Sequence, residues 1–427
     1  MKNGKRLKRV ICVLTAVCTA AVFAGCTTFD SFKHAYVDKA KEDSSPVITI
    51  GVIEPQTGSN SDRGKQEIKG IELANSIYNN VDGYKVELRT IDTQSKVSTA
   101  KTAVQSLVDM KPAAIIGCAG EATSLAISDA IEENHIPTIT PSATNPLITQ
   151  SNKYYFRACI TESQMGEGLA EYAYRKLKSD RIGMISLKND NSTAALIDGF
   201  NRNIKKLAGK KNKAVRSTSE IMINDEEINN ALDSIQREEC DVCFVSLGKE
   251  AMDVFFTKAE EKGLTGITYL GTRSWGDNAF VEMMKKHPDI KVVFPYASVM
   301  AENQKTLNKL TEEAQRFQIE YASRYGSDDI PTDNAALAYD SYLLLINAIH
   351  NAKSTEGKDI RKALLELKEM RCATGVFTFD ESGNVVRTVN LSTINSDYQV
   401  VSEYITGSEA EAKQLEEVEK AQETEGK

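Results

Sequence analysis

From Val47 onward, short apolar runs alternate with longer segments whose apolar residues recur at helical spacing. The runs lack the apolar–polar alternation of a strand with one face in water. Continuous apolar runs of this kind are typical of parallel strands that are covered on both faces. A helix between successive strands supplies that cover. The strands predicted in this way are 47–53, 86–91, 113–117 and 136–140, and a second series after Tyr154-Tyr-Phe-Arg157 has the strands 181–187, a weaker 214–219, 241–247 and 266–270. The sequence therefore predicts an α/β fold built on parallel sheets.

The segments between these runs predict the helices. They cover 65–79, 99–110, 122–133, 163–177, 193–207, 225–238 and 250–262, followed by 304–325 and 334–351. The last structured piece is the β-type stretch from 374 to 405, which contains a Glu-Ser-Gly-Asn turn. A pattern that runs from 47 to 405 is too long for one hydrophobic core, since cores stop growing beyond about 250–300 residues. Two domains are expected.

The N-terminus has the pattern of an export signal. Five basic residues precede an apolar run from Val10 to Gly25, and the run ends in Ala24-Gly25-Cys26. It is shorter than the roughly 20 residues of a membrane span. We expect cleavage before Cys26, lipidation of that cysteine, and an extracytoplasmic protein anchored to the cell membrane; the alternative is an uncleaved anchor helix. Residues 26–46 are interpreted as a tether, and the acidic tail 408–427 as a solvated helix or a disordered segment.

Charge and cysteine usage exclude several classes. The whole chain carries a formal charge of −8, and the predicted signal removes five basic residues and no acidic one. A more negative exported chain disfavours nucleic acid and anionic lipid surfaces as partners. Cys240 and Cys243 lie in an apolar run that is predicted to be a buried strand, where residues three apart face opposite sides. No second Cys/His pair accompanies them, so we expect no metal and no cofactor.

Two segments resemble a known family. They are Ile116-Gly-Cys-Ala-Gly-Glu-Ala-Thr-Ser124 and Thr140-Pro-Ser-Ala-Thr-Asn-Pro146, supported by Gly51–Gly58, Lys69–Ala74 and Ala335–Asp340. Together they resemble the type I periplasmic binding proteins that bind leucine, isoleucine and valine for ABC transporters. The resemblance implies two Rossmann-like lobes that are joined by three hinge crossings and close on a ligand. Lobe 1 would comprise 47–162 and 297–377, and lobe 2 would comprise 163–296 and 378–407.

The candidate site lies where strands of a parallel sheet end and helices begin. Gly117-Cys-Ala-Gly120 offers backbone N–H groups before a helix, a setting that favours a carboxylate. By the resemblance, Ser142 and Thr144 hold the backbone atoms of an α-amino acid. Thr144 as a plain helix cap is the alternative.

Two candidate residues depart from the family pattern. Glu121 stands where the branched-chain binders have a serine that donates to the ligand carboxylate, and an ionised glutamate repels such a group. Arg273 stands where the family has an acid that accepts the ligand ammonium. Either these two pair with each other, or the alignment slips by a residue, or the ligand differs from a branched-chain amino acid.

The remaining candidates are less constrained. Arg63 and Asn191 take positions at which the family has aromatic residues, and Gly248 follows the strand 241–247. Trp275 is expected either to stack on an apolar part of the ligand or to pack in its lobe. The ligands that fit these anchors are a reoriented amino acid or short peptide, and an aromatic or aliphatic acid.

The expected function is capture of a small amino-acid-like solute for an ABC transporter permease. A sensory module that presents the ligand to a membrane receptor is the alternative, because a chain without a further hydrophobic span needs a partner in order to signal. An enzyme is not expected, since the sequence shows no nucleophile elbow, metal-ligand cluster or complete phosphate loop. Turnover of a candidate ligand would revive the enzyme hypothesis.

Overall fold

The computed structural model describes residues 47–190, 193–209, 213–296 and 311–406. They form two compact units. The first contains residues up to Cys159 and the later stretch up to Arg387, and the second contains residues from Ile160 to the undescribed 297–310 segment and from Thr388 onward. The chain therefore passes between the units three times.

The elements are numbered in chain order. From 47 to 159 they are β1 (Val47–Glu54), α1 (Ser61–Ile77), β2 (Asn80–Val81), β3 (Tyr84–Asp92), α2 (Val97–Asp109), β4 (Ala114–Gly117), α3 (Glu121–Ala126), α4 (Ser128–Glu133), β5 (Thr138–Thr140), α5 (Leu147–Gln150) and β6 (Tyr155–Arg157). From 160 to 296 they are α6 (Glu162–Glu171), β7 (Ile182–Leu187), α7 (Ala194–Ala208), β8 (Val215–Ile221), α8 (Asp225–Arg237), β9 (Val242–Ser246), α9 (Lys249–Glu261), β10 (Thr268–Leu270), α10 (Asn278–Met284) and β11 (Lys291–Pro295). From 311 to 406 they are α11 (Glu312–Tyr325), α12 (Asp333–Ala352), α13 (Gly357–Glu366), β12 (Met370–Cys372), β13 (Gly375–Phe377), β14 (Asn390–Ile394) and β15 (Val400–Ile405). Short turns of other helix types occupy Tyr172–Lys176, Leu264–Gly266 and Arg273–Gly276.

The first unit is a six-stranded sheet in the order β2-β3-β1-β4-β5-β6. Its strands pair in parallel except for β2 with β3. The core on one face packs α2 and α4 against the sheet through residues such as Leu107, Ile115 and Ile131. Helix α12 is buried along most of its length, which explains its apolar sequence.

The second unit is a seven-stranded sheet in the order β15-β14-β11-β10-β9-β7-β8. Strands β7 to β11 pair in parallel, and β14 and β15 add an antiparallel edge. Helix α6 begins with a capping box between Thr161 and Gln164, so its first N–H groups have partners. The α/β fold class and the two Rossmann-like lobes are confirmed by this architecture.

Strand β11 is absent from the sequence prediction. It lies between β10 and β14 in the sheet and consists of only five residues, Lys291–Pro295. A short apolar run of this length cannot be assigned to a strand by periodicity alone. The predicted helix 122–133 is also divided into α3 and α4, which meet at Ile127.

The third crossing lies between Arg387 and Thr388, whereas the sequence placed it after residue 377. The Asp380 carboxylate accepts N–H groups from Ser382 and Asn384, at 2.9 and 2.8 Å, and this closes the predicted turn. The turn then adds to the edge of the first sheet, because Arg157 N donates to Gly383 O at 3.0 Å. The crossing is therefore delayed until the turn is complete.

Candidate functional site

In the first unit, two loops follow neighbouring parallel strands and meet at one edge of the sheet. Residues 118–120 follow β4 and residues 141–146 follow β5, and these two strands pair in parallel. Gly120 has a φ of 131°, a value that favours glycine. The chain turns there into α3, whose first residue is Glu121.

The structure brings Glu121 and Thr144 together. The Thr144 N–H donates to Glu121 Oε1 at 2.9 Å, and the Thr144 hydroxyl approaches the same oxygen at 3.3 Å. The Asn145 N–H donates to Oε2 at 2.8 Å. The donors of Thr144 and Asn145 therefore converge on the side-chain carboxylate of Glu121, which is part of the chain itself.

Arg157, at the end of β6, supports the same loop from its other side. Its guanidinium donates to the Thr144 and Asn145 carbonyls at 2.5 and 2.6 Å. The side chain has no exposed surface. Burial lowers the pKa of Arg157, and nearby anionic groups, Glu121 among them, oppose that effect. An arginine keeps its charge in such a setting, so the loop lies between a buried cation and a carboxylate.

Ser142 points into the unit. Its hydroxyl donates to the fully buried Glu67 of α1, and the residue is 2% exposed. In this arrangement Ser142 fixes the loop, and its hydroxyl is already engaged.

Arg63 is exposed in the first turn of α1. Its charge acts on Glu54, at the end of β1, in the direction that lowers the pKa of that carboxyl. Burial, followed by the charge of Glu67, is stronger and raises the pKa of Glu54 well above its ordinary value.

In the second unit, Gly248 and Arg273 also follow parallel strands. Gly248 is exposed, lies two residues after the end of β9 and directly precedes α9. Arg273 is half-buried and begins the short helix after β10. Both lie beyond the carboxyl ends of neighbouring strands.

Trp275 lies in the core of the second unit. Its ring is fully buried and stacks on Phe280, with 5.0 Å between the ring centroids. Gly271 packs against the indole so closely that a Cβ there would lie 2.2 Å from it. The structure therefore gives Trp275 a packing role, the second of the two roles that the sequence left open.

Asn191 and Cys26 lie outside the described residues. Sequence reasoning missed Arg157, Asn145 and Glu67. A signal for Arg157 was present, because a charged residue that ends the apolar run Tyr154-Tyr-Phe must find a partner as the strand is buried.

Within the described residues, no cluster of three or more His, Cys, Asp or Glu side chains is arranged to hold a metal ion. Cys240 and Cys243 are buried and carry free thiols. None of the described helices combines the length and the apolar character needed to cross a bilayer.

Comparisons with known proteins agree with this architecture. A Leu/Ile/Val-binding protein homolog of Brucella melitensis is 30% identical over 163 residues, which cover 37% of this chain and 44% of the relative. A Leu/Ile/Val-binding protein of Rhizobium johnstonii is 24% identical over 358 residues, which cover 79% of this chain and 89% of that protein. The solved structure of a leucine-binding protein from Thermotoga maritima has a TM-score of 0.68 and 25% identity, covering 85% of this chain and 99% of the other.

The names of these relatives describe binding proteins. The periplasmic binding protein family itself matches residues 47–399, which is most of the chain. The resemblance found in the sequence is thus confirmed, and the chain belongs to the periplasmic binding protein family.

Proposed function

We propose that the chain is an extracytoplasmic solute-binding protein that captures a small amino-acid-like molecule and delivers it to the permease of an ABC importer. The observation that carries this proposal is the family match over residues 47–399. The geometry supports it, because each unit has candidate residues at the carboxyl ends of neighbouring parallel strands. The names of the relatives, which refer to leucine, isoleucine and valine, favour an amino acid as the class of ligand.

The proposal includes hinged closure of the two units on the ligand. Three chain crossings connect the units, which is the connectivity that the resemblance implies. A ligand that binds the closed form better than the open form shifts the population by that difference in affinity. Small-angle scattering at saturating ligand should therefore show compaction.

The proposal also includes an anchor at Cys26. The basic N-terminal region and the Ala24-Gly25-Cys26 junction support it. Acyl chains supply insertion energy of about 0.8 kcal/mol per buried CH₂. Intact-mass measurement of the protein from membrane fractions should find an acylated Cys26 as the first residue.

Calorimetry with a panel of compounds tests the binding function. The panel contains the twenty common L-amino acids, short peptides, and aromatic and aliphatic acids. We expect at least one compound to bind with one-to-one stoichiometry and a dissociation constant of about 1 μM or below, equivalent to about −8 kcal/mol. Leucine, isoleucine and valine should bind weakly, because Glu121 and Arg273 differ from the residues of the branched-chain binders. Chemical conversion of a panel compound would instead indicate an enzyme.

A further inference from the structure

The loop after β5 has a donor arrangement that suits a carboxylate. Two consecutive N–H groups and one hydroxyl, from Thr144 and Asn145, point at Glu121. Both carboxylate oxygens are used, with Thr144 on one and Asn145 on the other. Hydrogen bonds to an ionised acceptor are about twice as strong as neutral ones, so this arrangement discriminates in favour of an anion.

Arg157 holds the backbone of the loop and fixes the direction of one of these donors. It holds the carbonyls of the same two residues, at 2.5 and 2.6 Å, and lies fully buried behind the loop. Because a peptide group is planar, holding the Thr144 carbonyl also directs the Asn145 N–H, which belongs to the same peptide group. The Asn145 carbonyl belongs to the peptide of Pro146, which has no N–H, so this second bond holds the loop backbone without orienting a donor. The Asn145 donor therefore keeps its direction whether or not Glu121 accepts from it.

Glu121 retains some capacity to bind a further group. A carboxylate accepts at about four positions, of which the loop uses three. The residue is half-buried, so part of it faces outward. Among the described residues of the first unit, no lysine or arginine forms an ion pair with it.

We propose that Glu121 is a specificity-determining residue, because it fills a carboxylate site of the first unit with the chain's own carboxylate. An external carboxylate must displace a tethered group, whose effective concentration is in the millimolar range or above. A ligand that leaves Glu121 in place presents an ammonium, amide or hydroxyl donor to it. This inference rests on the proposed function, since it describes which chemical group of the solute meets the first unit.

The test opens the site by mutation and uses acetate as the probe. In the full chain, Glu121→Ala removes the tethered carboxylate and leaves the donors free. Addition of sodium acetate should raise the Tm of this variant by about 3 °C relative to sodium chloride at equal ionic strength, the shift expected at roughly ten times the dissociation constant. The wild-type protein should show no difference between the two salts, because its site is filled.

Three further variants control the experiment. Glu132→Ala removes a half-buried glutamate that accepts a single N–H, from Lys153, so acetate should not stabilise it. Glu121→Gln keeps the volume of the side chain and should also not respond. Glu121→Ser opens the site with a short polar side chain and replaces Glu121→Ala if that variant does not fold.

An equal response of the wild type and both opened variants, or no response in any of them, would overturn the inference. The result is independent of the solute. If acetate stabilises only the opened variants while no panel compound binds the wild type, the proposed function fails and the inference about Glu121 stands. If a panel compound binds but acetate has no effect on the opened variants, the inference about Glu121 fails and the proposed function stands.

Discussion

Two buried carboxyls, Glu54 and Glu67, support the loops of the candidate site. Both are fully buried, and burial followed by the charge of Glu67 raises the pKa of Glu54, so ionisation of both carboxyls at once is disfavoured. Glu54 accepts the Ala119 N–H at 2.7 Å, and Glu67 accepts the Ser142 hydroxyl. The pair therefore ties the loop that leads to Glu121 to the loop that carries Thr144.

This pair predicts a pH dependence of stability. Burial and the charge of Glu67 raise the pKa of Glu54 above the ordinary 4.5, so the folded chain holds a proton that the unfolded chain releases. The free energy of unfolding therefore falls as the pH rises above 4.5, by about 1.4 kcal/mol per pH unit for one proton, until Glu54 ionises in the folded state. Arg63 opposes this shift, and the buried Cys118 thiol interacts with both carboxyls.

The measurement is urea unfolding from about pH 5 to about pH 8. In Glu67→Gln the charge and the second carboxyl are removed while Glu54 stays buried, so the pKa of Glu54 is raised less and the decline should end at a lower pH than in the wild type. Glu132→Gln should keep the profile of the wild type. An unchanged pH profile in Glu67→Gln would show that the charge of Glu67 does not contribute to the proton held by Glu54.

At the residue scale, the sequence predicted the positions of Glu121 and Thr144 but not their relationship. A resemblance can place both residues at the carboxyl ends of strands, yet it cannot show that a longer side chain reaches the donors of the other loop. For Trp275 the sequence left a ligand contact and a packing role open, and it could not decide between them for a related reason. Its closeness in sequence to Arg273 says nothing of the core into which its ring packs, which depends on Gly271 and Phe280.

At the scale of elements, helix packing depends on glycines at close contacts. A Cβ at Gly70 of α1 would lie 1.9 Å from the carbonyl oxygen of Ala335 in α12. The two helices can pack at this distance only because residue 70 has no side chain. This contact joins the start of the first unit to a helix more than 250 residues later.

We expect Gly70→Ala to destabilise the protein by about 1–3 kcal/mol, because the helices must separate or shift. An exposed helix position would instead gain about 1 kcal/mol from the same change. Gly266→Ala is the matched control, since a Cβ there meets no atom within 4 Å and its φ lies outside the region that favours glycine. Denaturant unfolding of both variants measures the difference, and equal midpoints would contradict the packing argument.

The elements that the sequence predicted correctly have strong periodic signals. The parallel strands β1, β4 and β9 are continuous apolar runs, and the helices between the strands are amphipathic. Strand β11 was missed because a five-residue run is too short to show a hydrophobic periodicity that separates a strand from a helix. Its place in the sheet is determined by pairing with β10, the preceding strand, and with β14, which lies about a hundred residues later in the sequence.

At the scale of the whole molecule, the two large sheets of the described residues follow from the order of the elements, and the three crossings are the connectivity that the resemblance implies. The number of domains was predictable from the length of the βα pattern. The position of the last crossing was not, because the Asp380 turn continues the edge of the first sheet through backbone contacts with Arg157. Those contacts leave no signal in the sequence beyond the turn itself.

The central claim is that this chain binds a small solute. Identification of the small molecule that copurifies with the protein from its own cells tests that claim most directly. The purified protein is unfolded, and the released small molecules are identified by mass spectrometry, with a sample depleted of ligand by partial unfolding as the control. We predict one amino-acid-like compound, in an amount approaching one per chain, that rebinds to the depleted protein. Release of no such compound, or of one that does not rebind, would contradict the claim.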